Sequence, residues 1–442
     1  MYDLLVINAD ILQLDGPSAS FLPGHALAIT DGRIVAIAPT ISPGLAREVL
    51  DAQGKLAIPG LINAHAHTAM SLLRGVAEDV AVESWFNDYI WPMEMNLSAE
   101  DVYWGSLLGF AEMIEAGVTC VADHYFAMDE VARAVDVAGM RAYLAQVFFS
   151  GPQENEQLAT SVAFAERWQG SAAGRITTGL GPHSPYTCTP ALLQRTAEEA
   201  RQRGLGVHLH LAETADQVAQ SLAHHGKTPV ALVRDAGLFE VPTLAAHLAH
   251  PTQEDLAILA ASDVRVVSTP KTELKMALGV TPVVQMRQLG LTVGLGSDGA
   301  ASSNSYDLLE AARLIALLEK HTRRDAHILP LGEALALATR EGAHALGLAG
   351  VTGELRVGYQ ADVVLIGHDA PHLQPMHNPA ATLLYSARAT DVDTVIVAGR
   401  ILMQGRQLRT IDRQRVIEEV RQRAGHMVIR RANAQVARYP TE

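Results

Sequence analysis

The residues best equipped for chemistry in this chain are histidines and carboxylates standing where apolar runs end. The first such run, Ile58–His67, reads IPGLINAHAH and closes on His65 and His67. Side chains of a strand alternate faces, so residues two apart point the same way. Two neutral imidazoles side by side form half a metal site without bending the backbone. Taken alone, an H-x-H pair reads equally well as a solvated strand edge. Later runs weigh against that reading. GPHS supplies His183, HLHLAET supplies His208, His210 and Glu213, AAHLAH supplies His247 and His250, and GSDG supplies Asp298. Random scattering of 18 histidines would not place so many at the same end of successive runs.

Three histidines and a carboxylate make an N3O donor set suited to Zn2+, with Fe2+ and Mn2+ also accommodated. The ligands chosen on this basis are His65, His67, His210 and Asp298. Of the pair His208 and His210, the one nearer the strand end is better placed. An ion with an open position lowers the pKa of bound water from about 15.7 to about 7, and the resulting hydroxide attacks an electron-poor carbon. Asp298 then touches the metal and accepts the water's proton. Glu213, free of ligand duty, donates a proton to a ring nitrogen. His247 is placed to hydrogen-bond the attacking oxygen. Hydrolytic loss of ammonia from an aminated heterocycle uses all of these parts. Zinc deaminases with cysteine ligands carry P-C-x-x-C, which this chain lacks. A two-metal site would need a bridging ligand, often a modified lysine, near ITTGLGPHSPY, and that stretch has no lysine. One ion per chain is expected.

The elements that must position these residues alternate. Apolar, β-branched pieces appear at Ile58–His67, Val118–Tyr125, Arg141–Phe149, Ile176–Tyr186, Gly206–Glu213, Thr243–His250, Val264–Pro270 and Thr292–Gly299. Amphipathic stretches lie between most of them, such as Pro190–Arg203 with apolar Leu192, Leu193, Ala197 and Ala200, and Pro229–Ala236. Eight strands separated by helices predict an α/β fold, a (β/α)8 TIM-type barrel whose chemistry sits at the strand C-termini. Residues 1–57 read as short strands, with Asp31-Gly32 as a hairpin turn. Strands return at Ala361–Ile366 and Thr394–Met403, so both termini are expected to build one small β-sandwich. The expected divisions are 1–57, a metal-dependent barrel over 58–348, and 349–442 with terminal helices. Thr410–Val436 reads as an Arg-rich amphipathic helix or helix pair, able to pack on the sandwich or on a second subunit.

Composition sets the outer bounds. The chain has 442 residues, 48% hydrophobic and 19% charged, as in an ordinary globular protein. A net charge of −14 argues against nucleic acid or an anionic membrane as partner, because phosphate binding needs a basic surface. Cys120 and Cys188 form no C-x-x-C, so neither a thiolate zinc site nor a disulfide framework is expected. No apolar run reaches the roughly 18 residues of a membrane span. The start, MYDLLVINADILQLD, lacks a charged n-region and a cleavage site, so a cytoplasmic protein acting on a small molecule is expected.

These motifs resemble the amidohydrolase superfamily, and within it the methylthioadenosine/S-adenosylhomocysteine deaminases and related triazine aminohydrolases. The matching pieces are PGLINAHAHTAMSLLRG (59–75), WFNDYIWPMEMNLSAED (85–101), GLGPHSPYT (179–187), HLHLAET (208–214), AAHLAH (245–250), LGSDGAASSNSYDLLE (295–310) and GELRVGYQADVVLI (353–366). The resemblance implies the same ligands, His65, His67, His210 and Asp298, with Glu213 as proton shuttle and His247 as partner of the bound water. It further implies that Glu94 binds ribose hydroxyls, that Trp85 lines a nucleoside pocket, and that His183 and Ser302 contact substrate. Without it, Trp85 would read as a core aromatic and Glu94 as a solvated acid. His208, His225 and His250 read as structural. His124 stands where the family often has methionine. Relatives are also often oligomeric, and the Arg-rich helices are compatible with a homo-oligomer.

Two departures bear on the substrate. Family members that accept S-adenosylhomocysteine clamp its carboxylate with arginines after strand three, and this chain has none from 142 to 166. Adenosine, methylthioadenosine or deoxyadenosine therefore fit better than the homocysteine compound. In STPKTELKMALG, Glu273 replaces an uncharged amide at the barrel mouth and Lys271 adds a charge. The leading expectation is a metal-dependent deaminase of an adenosine-like nucleoside. A hydrolase of another amino- or chloro-substituted ring (triazine, guanine, pterin) is the second reading, and a barrel that binds without catalysing is the third. Glu213 favours loss of an amine, Glu94 favours a ribose, and the complete ligand set argues against the non-catalytic barrel.

Overall fold

The structure, a computed structural model, describes residues 1–427. Eight parallel strands form the barrel: β1 (Leu61–Ala66), β2 (Val118–Tyr125), β3 (Arg141–Phe148), β4 (Ile176–Pro182), β5 (Gly206–Leu211), β6 (Thr243–His247), β7 (Val264–Ser268) and β8 (Thr292–Leu295). Each pairs in parallel with the next. β8 returns to β1, where the Asp298 N–H donates to the His65 carbonyl at 3.0 Å. Gly296 permits this approach, since a Cβ there would lie 2.8 Å from that same carbonyl oxygen. Small and β-branched side chains fill the barrel floor, with Ile62, Ala64, Cys120 and Val267 packing against Ala343 and Leu346. Both cysteines are free and buried.

The expected strands overran the observed ones mainly at their C-terminal ends. Ile176–Tyr186, for instance, ends at Pro182, and Thr243–His250 ends at His247. Residues beyond those points leave the ladder to turn over the rim, which is why a strand pattern fades where the chemistry begins. The first strand is also divided. Leu56–Pro59 belongs to the terminal sheet, and the barrel strand starts at Leu61. Pro59 lacks the N–H that a continuous central strand would need.

Both termini meet in one nine-stranded mixed sheet. Tyr2–Asp15 pairs antiparallel with Ser18–Thr30, which turns at Asp31-Gly32 into Arg33–Ala38. Leu56–Pro59 is the seam: it runs parallel to Tyr2–Asp15 and antiparallel to Val363–Ile366. Val392–Val397 and Arg400–Gln404 continue the sheet. Its strands share a core built from Val6, Ile11, Ile29, Val363 and Ile396. The sheet is tied to the barrel by Arg141, buried at the foot of β3, whose guanidinium donates twice to Asp362 at 3.1 and 3.3 Å. The helix Arg413–Met427 packs on the barrel helix Ala99–Glu115, with Arg415 and Arg423 over Trp104, rather than on the sheet. The remainder of the expected Thr410–Val436 helical region lies outside the described residues. No helix among the described residues is long and apolar enough to cross a membrane.

Candidate active site and metal centre

Four donor atoms converge at the rim where β1, β5 and β8 end. His67 Nε2 lies 3.1 Å from His210 Nε2 and 3.2 Å from Asp298 Oδ1, and His65 Nε2 lies 3.6 Å from the same oxygen. Each ring is held by its other nitrogen. His65 Nδ1 meets His208 Nε2 at 2.8 Å, His67 Nδ1 donates to the His124 carbonyl at 2.6 Å, and His210 Nδ1 donates to the His183 carbonyl at 3.0 Å. Carbonyls only accept, so His67 and His210 carry a proton on Nδ1 and, when neutral, turn bare lone pairs toward each other. Such lone pairs repel unless a positive charge sits between them. His65 Nε2 is buried with no hydrogen-bond partner among the described residues. Rings oriented by their outer nitrogens, with inner nitrogens unsatisfied around one carboxylate, fit a single divalent ion.

The electrostatics agree. Burial pushes His65 down to about 3, keeping it neutral and able to ligate. Burial opposes charge on His67 too, but its hydrogen bond to Asp298 and that carboxylate's charge raise it to about 9. Without an ion, a proton on His67 supplies the positive charge this cluster requires. Asp298 itself has a left-handed backbone, φ 62°, a conformation aspartate tolerates better than most residues. The Ser302 hydroxyl donates to Asp298 Oδ2 at 2.7 Å and accepts from Thr272 at 3.1 Å. Ser302 thus holds the carboxylate, besides lining the cleft above it.

Glu213 stands over this cluster in the loop after β5. Gln217 clamps it twice, accepting the Glu213 N–H at 3.0 Å and donating to Oε2 at 3.2 Å, while the Tyr186 hydroxyl donates to Oε2 at 3.3 Å. Oε1 is left facing His247 Nε2 at 3.9 Å. The His247 ring lies parallel to His210, 5.5 Å away, and its Nδ1 pairs with the Thr269 hydroxyl at 3.0 Å.

Above them opens a cleft walled by aromatic rings, with a few polar groups converging on its floor. Trp85, Glu94, His183, Glu213, His247, Asp298 and Ser302 all line it, so the residues singled out in the sequence meet in one place. Trp85 opens a wide π turn, Trp85–Ile90, and its indole N–H has no hydrogen-bond partner among the described residues. Glu94 is buried at the end of the following turn, where burial raises its carboxyl to about 7 and the Tyr125 hydroxyl donates to Oε1 at 2.7 Å. The His183 ring stacks on Phe149 at 4.9 Å, and burial lowers it to about 3, so it acts as a neutral group.

Several contributors were given no part in the site from the sequence. Tyr125, which fixes Glu94, follows His124 at the end of β2, and only its place at a strand terminus could have marked it. His208, read as structural, orients a predicted ligand. His124 lines the cleft, and its Nδ1 is buried without a partner among the described residues. The two charges at the end of β7 are turned away. Lys271 pairs with Glu310 at 2.7 Å and Ser305 at 2.8 Å, and Glu273 is only 1% exposed, behind His247. Neither lines the cleft. His250 binds the Leu278 carbonyl, and His225 is on the surface.

Comparison with known proteins places these features. The sequence profile of the amidohydrolase family matches residues 56–402. A Desulforudis audaxviator protein named 5-methylthioadenosine/S-adenosylhomocysteine deaminase is 44% identical over 429 residues, covering 96% of this chain and 99% of its own. The crystal structure of an adenosine deaminase from Xanthomonas campestris with bound zinc superposes with a TM-score of 0.92 at 33% identity, covering 96% of this chain and 98% of that one. An atrazine chlorohydrolase from Arthrobacter aurescens, complexed with zinc, has a TM-score of 0.89 at 22% identity, covering 95% and 100%. That last likeness speaks for the fold alone.

Proposed function

This chain belongs to the amidohydrolase family, and on that premise we propose that its site removes ammonia hydrolytically from the ring of an adenosine-like nucleoside. The protein is a metal-dependent hydrolytic deaminase acting on a small molecule. His65, His67, His210 and Asp298 would hold one divalent ion, zinc by the donor set. When bound, that ion lowers the pKa of water toward about 7, so that it attacks at neutral pH. The chain's own residues do the rest. The attacking water gives up two protons, one to Glu213 and the other to Asp298 as the new C–O bond completes, while His247 hydrogen-bonds the attacking oxygen. Glu213, fixed by Gln217 and Tyr186, passes its proton to the ring nitrogen as negative charge builds there, and the proton held by Asp298 goes to the amine, which departs as ammonia. Trp85 and the aromatic wall exclude water and stack on the ring. Glu94 accepts from the ribose hydroxyls, with Tyr125 fixing its orientation, and His183 contacts the ring as a neutral group.

The observation that carries this reading is Glu213, a carboxylate outside the ligand set, poised beside His247 over the cluster. A leaving chloride would need no such proton donor. The cleft also presents Glu94, Glu213 and Asp298 but no lysine or arginine among its described lining residues. A substrate tail bearing a carboxylate finds no cation there, which supports adenosine or methylthioadenosine over S-adenosylhomocysteine. Buried free thiols support a reducing, cytoplasmic setting.

Ammonia release across adenosine, methylthioadenosine, S-adenosylhomocysteine, guanine and aminotriazines tests this. We expect turnover of the first two and at least tenfold lower kcat/KM for the third. Turnover of guanine or triazines alone would overturn the nucleoside reading.

A further inference from the structure

Glu273 is a buried carboxylate that lines no cleft and touches no proposed ligand, yet it is built into the support of His247. Its Oε1 accepts the Thr269 N–H at 2.7 Å, and its Oε2 accepts the Thr281 N–H at 3.0 Å. Those two threonines hold His247 from both sides. The Thr269 hydroxyl pairs with His247 Nδ1 at 3.0 Å. Thr281 Oγ1 bridges Glu273 Oε1, 2.8 Å away, and the His247 carbonyl oxygen, 2.5 Å away. The backbone held in this way is left-handed at two successive residues, φ 73° at His247 and 54° at Leu248. Such conformations persist only where the surroundings over-determine them. They also turn the His247 ring out of the β6 ladder toward Glu213, 3.9 Å from Nε2. A buried carboxylate is costly unless donors satisfy it, and here the donors are the groups that grip His247.

We propose that Glu273 is a positioning residue for His247, fixing that histidine's ring and left-handed backbone through Thr269 and Thr281 so that Nε2 faces Glu213. Only the activity readout rests on the deaminase reading. Glu273→Gln keeps the shape but sets an amide NH2 against donors. Thr269→Val removes the hydroxyl and keeps the volume, and Thr269→Ser restores the hydroxyl.

The test measures kcat and KM for ammonia release by the zinc-loaded enzyme, with the crystal structure of Glu273→Gln as an independent readout. Misplacing a positioned group by about 1 Å costs on the order of 100-fold in rate. We expect Glu273→Gln and Thr269→Val to lose that much in kcat with KM within about twofold, and Thr269→Ser to recover it. In a His247→Asn background, Glu273→Gln should cost less than about twofold more, because its effect runs through His247. In the crystal, the His247 ring should be turned from Glu213 while zinc remains bound. An unchanged kcat, an equal loss in the His247→Asn background, or an undisplaced ring would each overturn the proposal. If Glu273→Gln fails to fold, the valine and serine pair at Thr269 decides. A wild-type protein that releases no ammonia would count against the deaminase reading, while the ring position would still test this one.

Discussion

Glu213 and Glu94 are both buried carboxylates in one cleft, and the donors around each assign them different work. Glu213 is gripped on one oxygen by Gln217 and Tyr186 and offers the other to His247. Replacing it with Gln should lower kcat about 10²- to 10⁴-fold, the usual worth of a general acid–base group, while zinc content measured by atomic absorption stays near one per chain. Glu94 is held instead by the Tyr125 hydroxyl, with burial raising its carboxyl from 4.5 to about 7. Between those values the folded protein binds more protons than the unfolded chain, so this group's effect makes stability fall as pH rises from about 4.5 through about 7. In zinc-free protein, Glu94→Gln should therefore raise the thermal midpoint at pH 8, by a free energy on the order of 3 kcal/mol, and leave it unchanged near pH 4.5. Calorimetry at the two pH values checks the sign. The same substitution should raise KM for ribosides and spare free bases; equal losses on both would deny Glu94 a sugar role.

At the scale of elements, the site depends on strands that end abruptly and on close approach between the first and last. Gly296 lets β8 meet β1, and a Cβ there would press 2.8 Å from the His65 carbonyl oxygen. Gly296→Ala should cost about 1–3 kcal/mol in chemical denaturation and weaken zinc binding, since His65 and Asp298 would move apart. Much of this was legible in sequence. H-x-H after an apolar run, H-x-H-x-x-E and S-D-G each combine a strand period with a donor at its end, and those residues converge as their spacing implied. What escaped was what one chain position cannot reveal about another. The contact of His208 with His65 joins segments 143 residues apart, while the Ser302 hydroxyl on Asp298, four residues away, and the inward burial of Glu273 depend on how tight local turns aim each side chain. A charge at a strand end looks the same whether it faces a ligand or the opposite side.

The whole molecule couples two bodies of structure: Leu56, Ile58, Val364, Ile366 and Val392 of the sheet join the apolar core of the barrel, and a buried ion pair adds to that packing. Arg141 and Asp362 form a buried ion pair between barrel and terminal sheet, with Thr352 donating to the same carboxylate at 2.7 Å. Asp362→Ala would leave a buried guanidinium unpaired and should cost about 3–5 kcal/mol in urea unfolding. The sheet also leads directly into β1 through Leu56–Pro59, so its integrity sets where His65 and His67 lie. All of this serves one claim, that four side chains from three strands hold a single ion on which deamination depends. Titrating zinc into chelator-treated protein while following ammonia release from methylthioadenosine tests it most directly. The account predicts activity that rises linearly and saturates at one zinc per chain, and that stays absent when His210 or Asp298 is replaced by Ala. Full turnover without metal, or a requirement for two ions per chain, would contradict it.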